Sequence, residues 1–132
     1  MARFYGIDEA NLRLAEVRPL LEGLREDRAA VAAAQREVLR LRTSNGSAEH
    51  AEELARHEAQ VRDAVRRMQQ SVSQLDGWGI ALRDIGSGLI DFPALASGRP
   101  IWLCWRLGEG DIGWWHEVDA GFDSRKPLAE LT

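Results

Sequence analysis

Cysteine is scarce in this sequence of 132 residues: Cys104 stands alone, which excludes an intramolecular disulfide and a cysteine-rich zinc site within one chain. A lone thiol is typical of proteins in a reducing compartment, so we expect a cytoplasmic protein. Long apolar runs are missing too. No stretch approaches the roughly 18 residues of a membrane-spanning helix, and the first six residues lack the apolar core of a signal peptide. We therefore expect no membrane association.

Lysine is nearly absent, because Lys126 is the only lysine among 17 basic residues. With 21 acidic residues the formal net charge is -4, and the arginines are spread along the chain without forming a block. This distribution predicts binding to neither nucleic acid nor an anionic membrane. A glycine-rich phosphate loop, a nucleophile elbow and a paired-metal signature are missing as well, which favours a protein without enzymatic activity.

Helical periodicity is the main feature that the sequence does contain. Its 45% hydrophobic and 29% charged residues are typical of a folded protein, and its length fits one domain over residues 1–132. Apolar residues recur at helical spacing across residues 8–42 and 47–75, which predicts two amphipathic helices, with a kink or a break at Pro19. The apolar positions are Ala10, Leu14, Val17, Leu21, Leu24, Val31 and Val38 in the first segment, and Ala51, Leu54, Val61, Val65, Met68, Val72 and Leu75 in the second.

The connection between the two helices, residues 43–47, is rich in turn formers such as Asn45 and Gly46. Two long helices joined by a short turn pack antiparallel, in the manner of a coiled coil. Such a hairpin cannot enclose a core by itself. Its remaining apolar surface is expected to pack on a β unit at one end and on a second copy elsewhere, which predicts a homodimer.

After the helices the pattern changes to short apolar segments separated by glycine-containing turns, and residues 79–119 predict a small antiparallel β unit. Its strongest strands are residues 101–107 and 112–118, joined by the four-residue connection 108–111. The tail, residues 120–132, is expected to be irregular. The predicted fold class is therefore α+β, with a long helical hairpin followed by a Trp-rich antiparallel β unit.

We predict the register of this β-hairpin from a pairing of Leu107 with Ile112 across the connection. Alternate residues then face opposite sides of the sheet, and a slip of one residue would exchange the cross-strand neighbours. The predicted core face holds Leu103, Trp105, Leu107, Ile112, Trp114, His116 and Val118, whereas the opposite face holds Trp102, Cys104, Arg106, Trp115, Glu117 and Asp119.

The opposite face is too polar for a core and unusually aromatic for a solvated surface. Arg106 and Glu117 are expected to form an ion pair that frames Trp102 and Trp115, or Arg106 instead binds a carboxylate or phosphate of a ligand. Arg125, in the following tail, is assigned to the same face. This interpretation makes the chain an interaction or structural module, which self-associates through its helices and presents the face to a protein or small-molecule partner.

The alternative interpretation uses the hairpin as a metal site. Cys104, His116, Glu117 and Asp119 carry donor groups that zinc and similar divalent metals accept. Strand alternation directs His116 away from the two carboxylates, so their convergence needs a bulge or a strand end, with Glu9 or a second subunit completing the site. In the simpler interpretation there is no cofactor, His116 bonds to the backbone, and Cys104 is a small buried hydrophobe. The sequence leaves these alternatives open.

Short motifs near both ends of the chain resemble one known family. They are Phe4-Tyr5, Asp8-Glu9-Ala10-Asn11, Gly88-Leu89-Ile90-Asp91-Phe92-Pro93-Ala94, Leu103-Cys104-Trp105-Arg106-Leu107-Gly108-Glu109, Trp115-His116-Glu117 and Asp119-Ala120-Gly121-Phe122. With them the whole chain is similar to the bacterial family called domain of unknown function 2203, which implies a helical hairpin and a β unit but no catalytic residue. The sequence departs from the family at Gly6, where a hydroxyl residue is usual, and at Ser124, where glycine usually precedes Arg125.

Overall fold

The computed structural model describes residues 3–44 and 48–131, and these form two long helices followed by a five-stranded antiparallel sheet. The α+β prediction is confirmed. Residues 45–47 of the predicted turn lie outside the described part of the chain. The helices are α1 (Ile7–Arg42) and α2 (Ala48–Gly77), and the strands are β1 (Ala81–Asp84), β2 (Leu89–Ala96), β3 (Arg99–Arg106), β4 (Trp114–Glu117) and β5 (Lys126–Pro127).

Helix α1 runs for 36 residues without interruption at Pro19, so the predicted alternative of a break is wrong. Gly6 precedes the helix in an extended conformation, and its N–H donates to the Glu9 carboxylate at 3.3 Å, which satisfies one free donor of the first turn. Proline removes one helical hydrogen bond. Because Val17 and Leu21 beside it are buried in the core, tertiary packing holds the helix together across this position.

Cross-helix ion pairs show how α1 and α2 align. Arg67 of α2 contacts the Asp27 carboxylate of α1 at 3.1 Å, and Arg42 of α1 contacts the Glu58 carboxylate of α2 at 3.1 Å. The partner in α2 therefore lies earlier in the sequence as the residue in α1 lies later, as an antiparallel hairpin requires. Beyond Asp27 the contact between the two helices buries few side chains, and most of these are small. Neither helix is both long and apolar enough to cross a membrane within the described ranges.

The sheet is a meander in which each strand pairs with its neighbours in the sequence. One face of β2, β3 and β4 packs on the N-terminal half of α1 and the end of α2, with Trp105 fully buried and its indole N–H donating to the Gly110 carbonyl at 2.8 Å. We call this the inner face. Its core includes Leu14, Val17, Leu21, Leu24, Leu75, Ile90, Phe92, Ile101, Leu103, Trp105 and Trp115.

The predicted hairpin register is wrong by one residue. Leu103 pairs with Trp115 and Cys104 with Trp114, instead of the pairing that Leu107 opposite Ile112 would impose. The reason is tertiary: the Ile112 N–H donates to the side chain of Asn11 in α1 at 2.7 Å rather than to β3, so β4 begins only at Trp114.

The observed register exchanges the side chains of β4 between the two faces. Trp115 is buried on the inner face, although it was predicted on the opposite face, whereas Trp114 and His116 join Trp102 and Cys104 on the outer face. Leu103, Trp105 and Ile112 are buried as predicted. Val118 lies beyond the end of β4 and is largely exposed, so its predicted place in the core is wrong.

The tail is more ordered than predicted. It contains β5 and two short 3-10 turns, Phe122–Ser124 and Leu128–Glu130. The Leu128 N–H donates to the Gly113 carbonyl at 3.0 Å, and the Trp115 indole N–H donates to the Pro127 carbonyl at 3.2 Å. These bonds dock the tail against β4, and residues 118–122 then pass over the outer face of the sheet.

Candidate metal centre

Three polar side chains from three neighbouring strands converge on the outer face. Asp91 of β2 is the direct cross-strand partner of Cys104 in β3, and His116 of β4 lies one step along the next ladder, opposite Trp102. A carboxylate oxygen, the thiol sulfur and an imidazole nitrogen of these residues all lie within 4.8 Å of one another. We call this set the Asp-Cys-His cluster.

The cluster is shielded from solvent although it lies on the outer face. The exposed fractions are 2% for Asp91, 1% for Cys104 and 2% for His116. The segment 118–122 covers part of the sheet here and leaves a cavity of about 390 Å³, whose walls include Asp91 and Cys104. Titratable side chains are seldom so deeply buried, and groups of them recur at functional sites, which marks the cluster as a functional candidate.

The hydrogen bonds of His116 restrict where its protons can be. Its Nδ1 lies 2.8 Å from the backbone carbonyl of Glu117, which only accepts, so Nδ1 carries a proton. Its Nε2 lies 3.0 Å from the Asp91 carboxylate. In a neutral imidazole this Nε2 would offer a lone pair to another acceptor, so either a further proton or a cation has to lie between the two groups. Metal-binding histidines have this arrangement, with the distal N–H donated to a carbonyl.

Asp91 keeps one oxygen without a protein partner. Its Oδ2 accepts from Arg83 Nε at 2.9 Å and contacts His116, whereas Oδ1 is buried and has no hydrogen-bond partner among residues 3–44 and 48–131. A buried charged oxygen left unpaired costs on the order of 1–3 kcal/mol or more. An orphaned acceptor beside a thiol and an imidazole indicates a site for a cation.

Cys104 is buried next to this carboxylate. Burial and then the charge of Asp91 raise the pKa of the thiol to about 12, against the opposing effect of the nearby Arg125 guanidinium. The thiol is therefore protonated at neutral pH and unsuited to act as a free nucleophile. It becomes a strong ligand only where a metal ion displaces its proton.

Arg125 fastens the covering segment over the cluster. It forms an ion pair with Glu109, with distances of 2.5 and 3.1 Å, and its guanidinium stacks on Trp114 and Phe122. Burial alone would raise the pKa of Glu109, but hydrogen bonds from Arg125 and from the Arg106 N–H outweigh it and hold that pKa below its ordinary value. The carboxylate thus stays charged and keeps Arg125 beside Cys104.

Of the four predicted metal ligands, the structure brings Cys104 and His116 together and leaves the other two outside the cluster. Glu117 binds Arg99 at 2.9 Å, and Asp119 is exposed at the rim of the cavity. Glu9 binds Arg3 near the start of α1.

Asp91, which was not among the ligands predicted from the sequence, takes the place of these carboxylates. The available signal was a carboxylate between two apolar residues, Ile90 and Phe92, in a short run that otherwise predicts a buried strand. Both neighbours are fully buried on the inner face.

The predicted ligand face of Trp102, Arg106, Trp115 and Glu117 does not form as one surface. Trp102 lies beneath Arg83 on the outer face, whereas Trp115 is buried on the inner side. Arg106 stacks on the ring of Phe122 instead of pairing with Glu117. The register shift of one residue is responsible, since it separates side chains that were expected to be neighbours.

A second group of donor atoms, Glu37, Glu53 and His57, lies on the helical hairpin. Each member is only partly buried and has a local partner: Glu37 binds Arg40 at 2.9 Å, and His57 Nδ1 lies 3.0 Å from the Gln60 side chain. Such pairs are ordinary features of helix surfaces. The group therefore needs no cation.

Comparison with known proteins adds a family and no activity. The family model described as an uncharacterized conserved protein (DUF2203) matches residues 3–128. Neither a curated protein nor a solved structure matches the chain.

Proposed function

We propose that this chain, which belongs to the DUF2203 family of uncharacterized conserved proteins, binds one divalent transition-metal ion through Asp91, Cys104 and His116. The observation that carries the proposal is the buried Oδ1 of Asp91, which has no partner in the described residues and lies in a cluster with a thiol and an imidazole. A cation at that point would satisfy all three groups at once.

The chemistry of the donors favours zinc. One oxygen, one sulfur and one nitrogen form a mixed set that Zn²⁺ accepts, whereas Mg²⁺ and Ca²⁺ prefer oxygen alone. Outer partners are in place as well: the Glu117 carbonyl orients His116, and Arg83 holds the second oxygen of Asp91. A cytoplasmic, reducing compartment suits such a site, because there the single free thiol Cys104 stays reduced.

Zinc retention is the direct test. After chelation and addition of one equivalent of zinc, native mass spectrometry is expected to show one ion per chain. Zinc at about a hundred times its dissociation constant should stabilise the fold by about 2.7 kcal/mol, measured as a rise in unfolding temperature. Asp91→Asn should lose both effects, whereas Asp119→Asn, at the cavity rim, should keep them. A wild-type chain that stays metal-free and unshifted would contradict the proposal.

Self-association through the helices is a second candidate, favoured by an exposed apolar strip on α2. Val65 and Val72 are 37% and 41% exposed, and with Met68 they follow the three-four spacing of a coiled-coil seam. Together they line a groove of about 550 Å³. We infer that the same strip of a second copy covers this groove. Two such strips would bury each other's apolar side chains, which one helical hairpin alone leaves exposed.

The proposed dimer can be tested independently of the metal site. Replacing Val65 and Val72 together with glutamate should convert a dimer into a monomer in sedimentation experiments, because four carboxylates would be buried in one interface. Leu12→Glu is the matched control, since Leu12 is an exposed apolar residue of α1 away from the strip. A wild-type chain that sediments as a monomer at high micromolar concentration would exclude the dimer.

A further inference from the structure

The cavity beside the Asp-Cys-His cluster has two kinds of wall. Its floor is polar and contains Asp91 and Cys104, whereas Leu89, Val118 and Phe122 provide apolar surface. Its volume of about 390 Å³ is in the range of small-molecule sites. A metal ion held by the cluster would have three protein ligands. Its fourth coordination position would be open to a small molecule, as it is in catalytic zinc sites.

Arg83 stands at the edge of this cavity with part of its guanidinium unused. Its Nε donates to Asp91 Oδ2 at 2.9 Å, and the group stacks on Trp102 at 4.9 Å from the ring centre. The two terminal nitrogens bond to no residue of the described chain, and the side chain is 43% exposed. A guanidinium held from two sides presents its remaining donors in a fixed plane, which suits a carboxylate.

We propose that this cavity binds a small organic carboxylate, whose oxygens lie between the metal ion and Arg83 and whose apolar body packs on Leu89, Val118 and Phe122. The inference rests on the proposed metal site. A divalent ion at the cluster adds positive charge beside Arg83 to a cavity that otherwise contains the carboxylates of Asp91 and Asp119. Binding of the anion is therefore expected only in the metal-loaded protein.

The test uses the full chain loaded with cobalt, because the visible spectrum of cobalt reports both a thiolate ligand and the number of ligands. Titration with isobutyrate should change this spectrum in a saturable way, and acetate, which lacks the apolar body, should bind more weakly. Arg83→Gln, saturated with cobalt as its spectrum without isobutyrate would show, should bind isobutyrate roughly tenfold to a hundredfold more weakly, as loss of a charge-assisted hydrogen bond predicts. Arg13→Gln is the control, because Arg13 also stacks on a tryptophan, Trp78, but far from the cavity.

The outcomes separate the two proposals. If the wild-type chain shows no cobalt–thiolate spectrum, the metal site is wrong and the carboxylate site falls with it. If the spectrum forms but isobutyrate leaves it unchanged, only the carboxylate site is wrong. Inorganic phosphate binding more tightly than isobutyrate would also overturn it, since the apolar wall would then contribute nothing. Equal affinities in the Arg83→Gln variant and the wild type would remove Arg83 from the site.

Discussion

Replacing His116 with alanine is expected to weaken zinc binding by at least about a hundredfold, because loss of an outer partner alone typically costs 10- to 100-fold and His116 is a direct ligand in the proposed site. The substitution leaves two donors, Asp91 and Cys104, in a buried pocket. These two keep their contacts with Arg83 and Arg125 and lie beside each other, but they lack the nitrogen ligand. Competition with a chromophoric chelator measures the change in affinity.

The matched control is His57→Ala. His57 belongs to the second group of donors, on the hairpin, and it is a partly exposed helical histidine. If zinc affinity falls in this variant and not in His116→Ala, the ion binds on the helices and the Asp-Cys-His cluster is not the site. Circular dichroism on both variants establishes that the fold is intact before affinity is compared.

Zinc affinity is also expected to rise about tenfold per pH unit between about pH 7 and 9, because the metal must displace the proton of the Cys104 thiol. Burial and the Asp91 charge raise the pKa of this thiol to about 12, so it remains protonated across the whole interval in the metal-free protein. Each zinc bound therefore releases at least one proton, and raising the pH favours the bound state. Isothermal titration in buffers of different ionisation enthalpy counts the protons.

Cys104→Ser separates this effect from other titrations. The serine hydroxyl is close in size but does not ionise in this range, so the variant should bind zinc weakly and its pH slope should fall by about one proton per ion. An unchanged slope in the variant would show that the released proton comes from elsewhere. A wild-type affinity independent of pH would mean that Cys104 is not a ligand.

Cys104 and His116 were recognised as donor residues from the sequence, but their convergence depended on the register. The pairing of Leu107 with Ile112 would have placed them on opposite faces of the sheet. The Ile112 N–H instead bonds to Asn11, 101 positions earlier in the chain, and this delays the start of β4. A contact of that sequence separation leaves no local pattern from which it could be predicted.

Asp91 could not be identified as a ligand from the sequence, for a different reason. The apolar residues around it correctly predict a strand, and alternation directs Asp91 away from Ile90 and Phe92. That face would be solvated in a bare sheet, where a carboxylate is unremarkable. Segment 118–122 returns across the outer face and lines the cavity above Asp91, and the part of it from residue 120 had been predicted to be irregular.

The sequence by itself determined the elements of this protein: two long amphipathic helices, short strands after them, and the α+β class, since helical and strand periodicities are local properties of the chain. The tertiary structure alone decided which strand residues meet. A strand alternates faces with every residue, so a register shift of one residue exchanged the faces of Trp114, Trp115 and His116, and it accompanies a hydrogen bond from the hairpin to α1 that joins residues 101 positions apart. The Asp-Cys-His cluster exists because of that exchange.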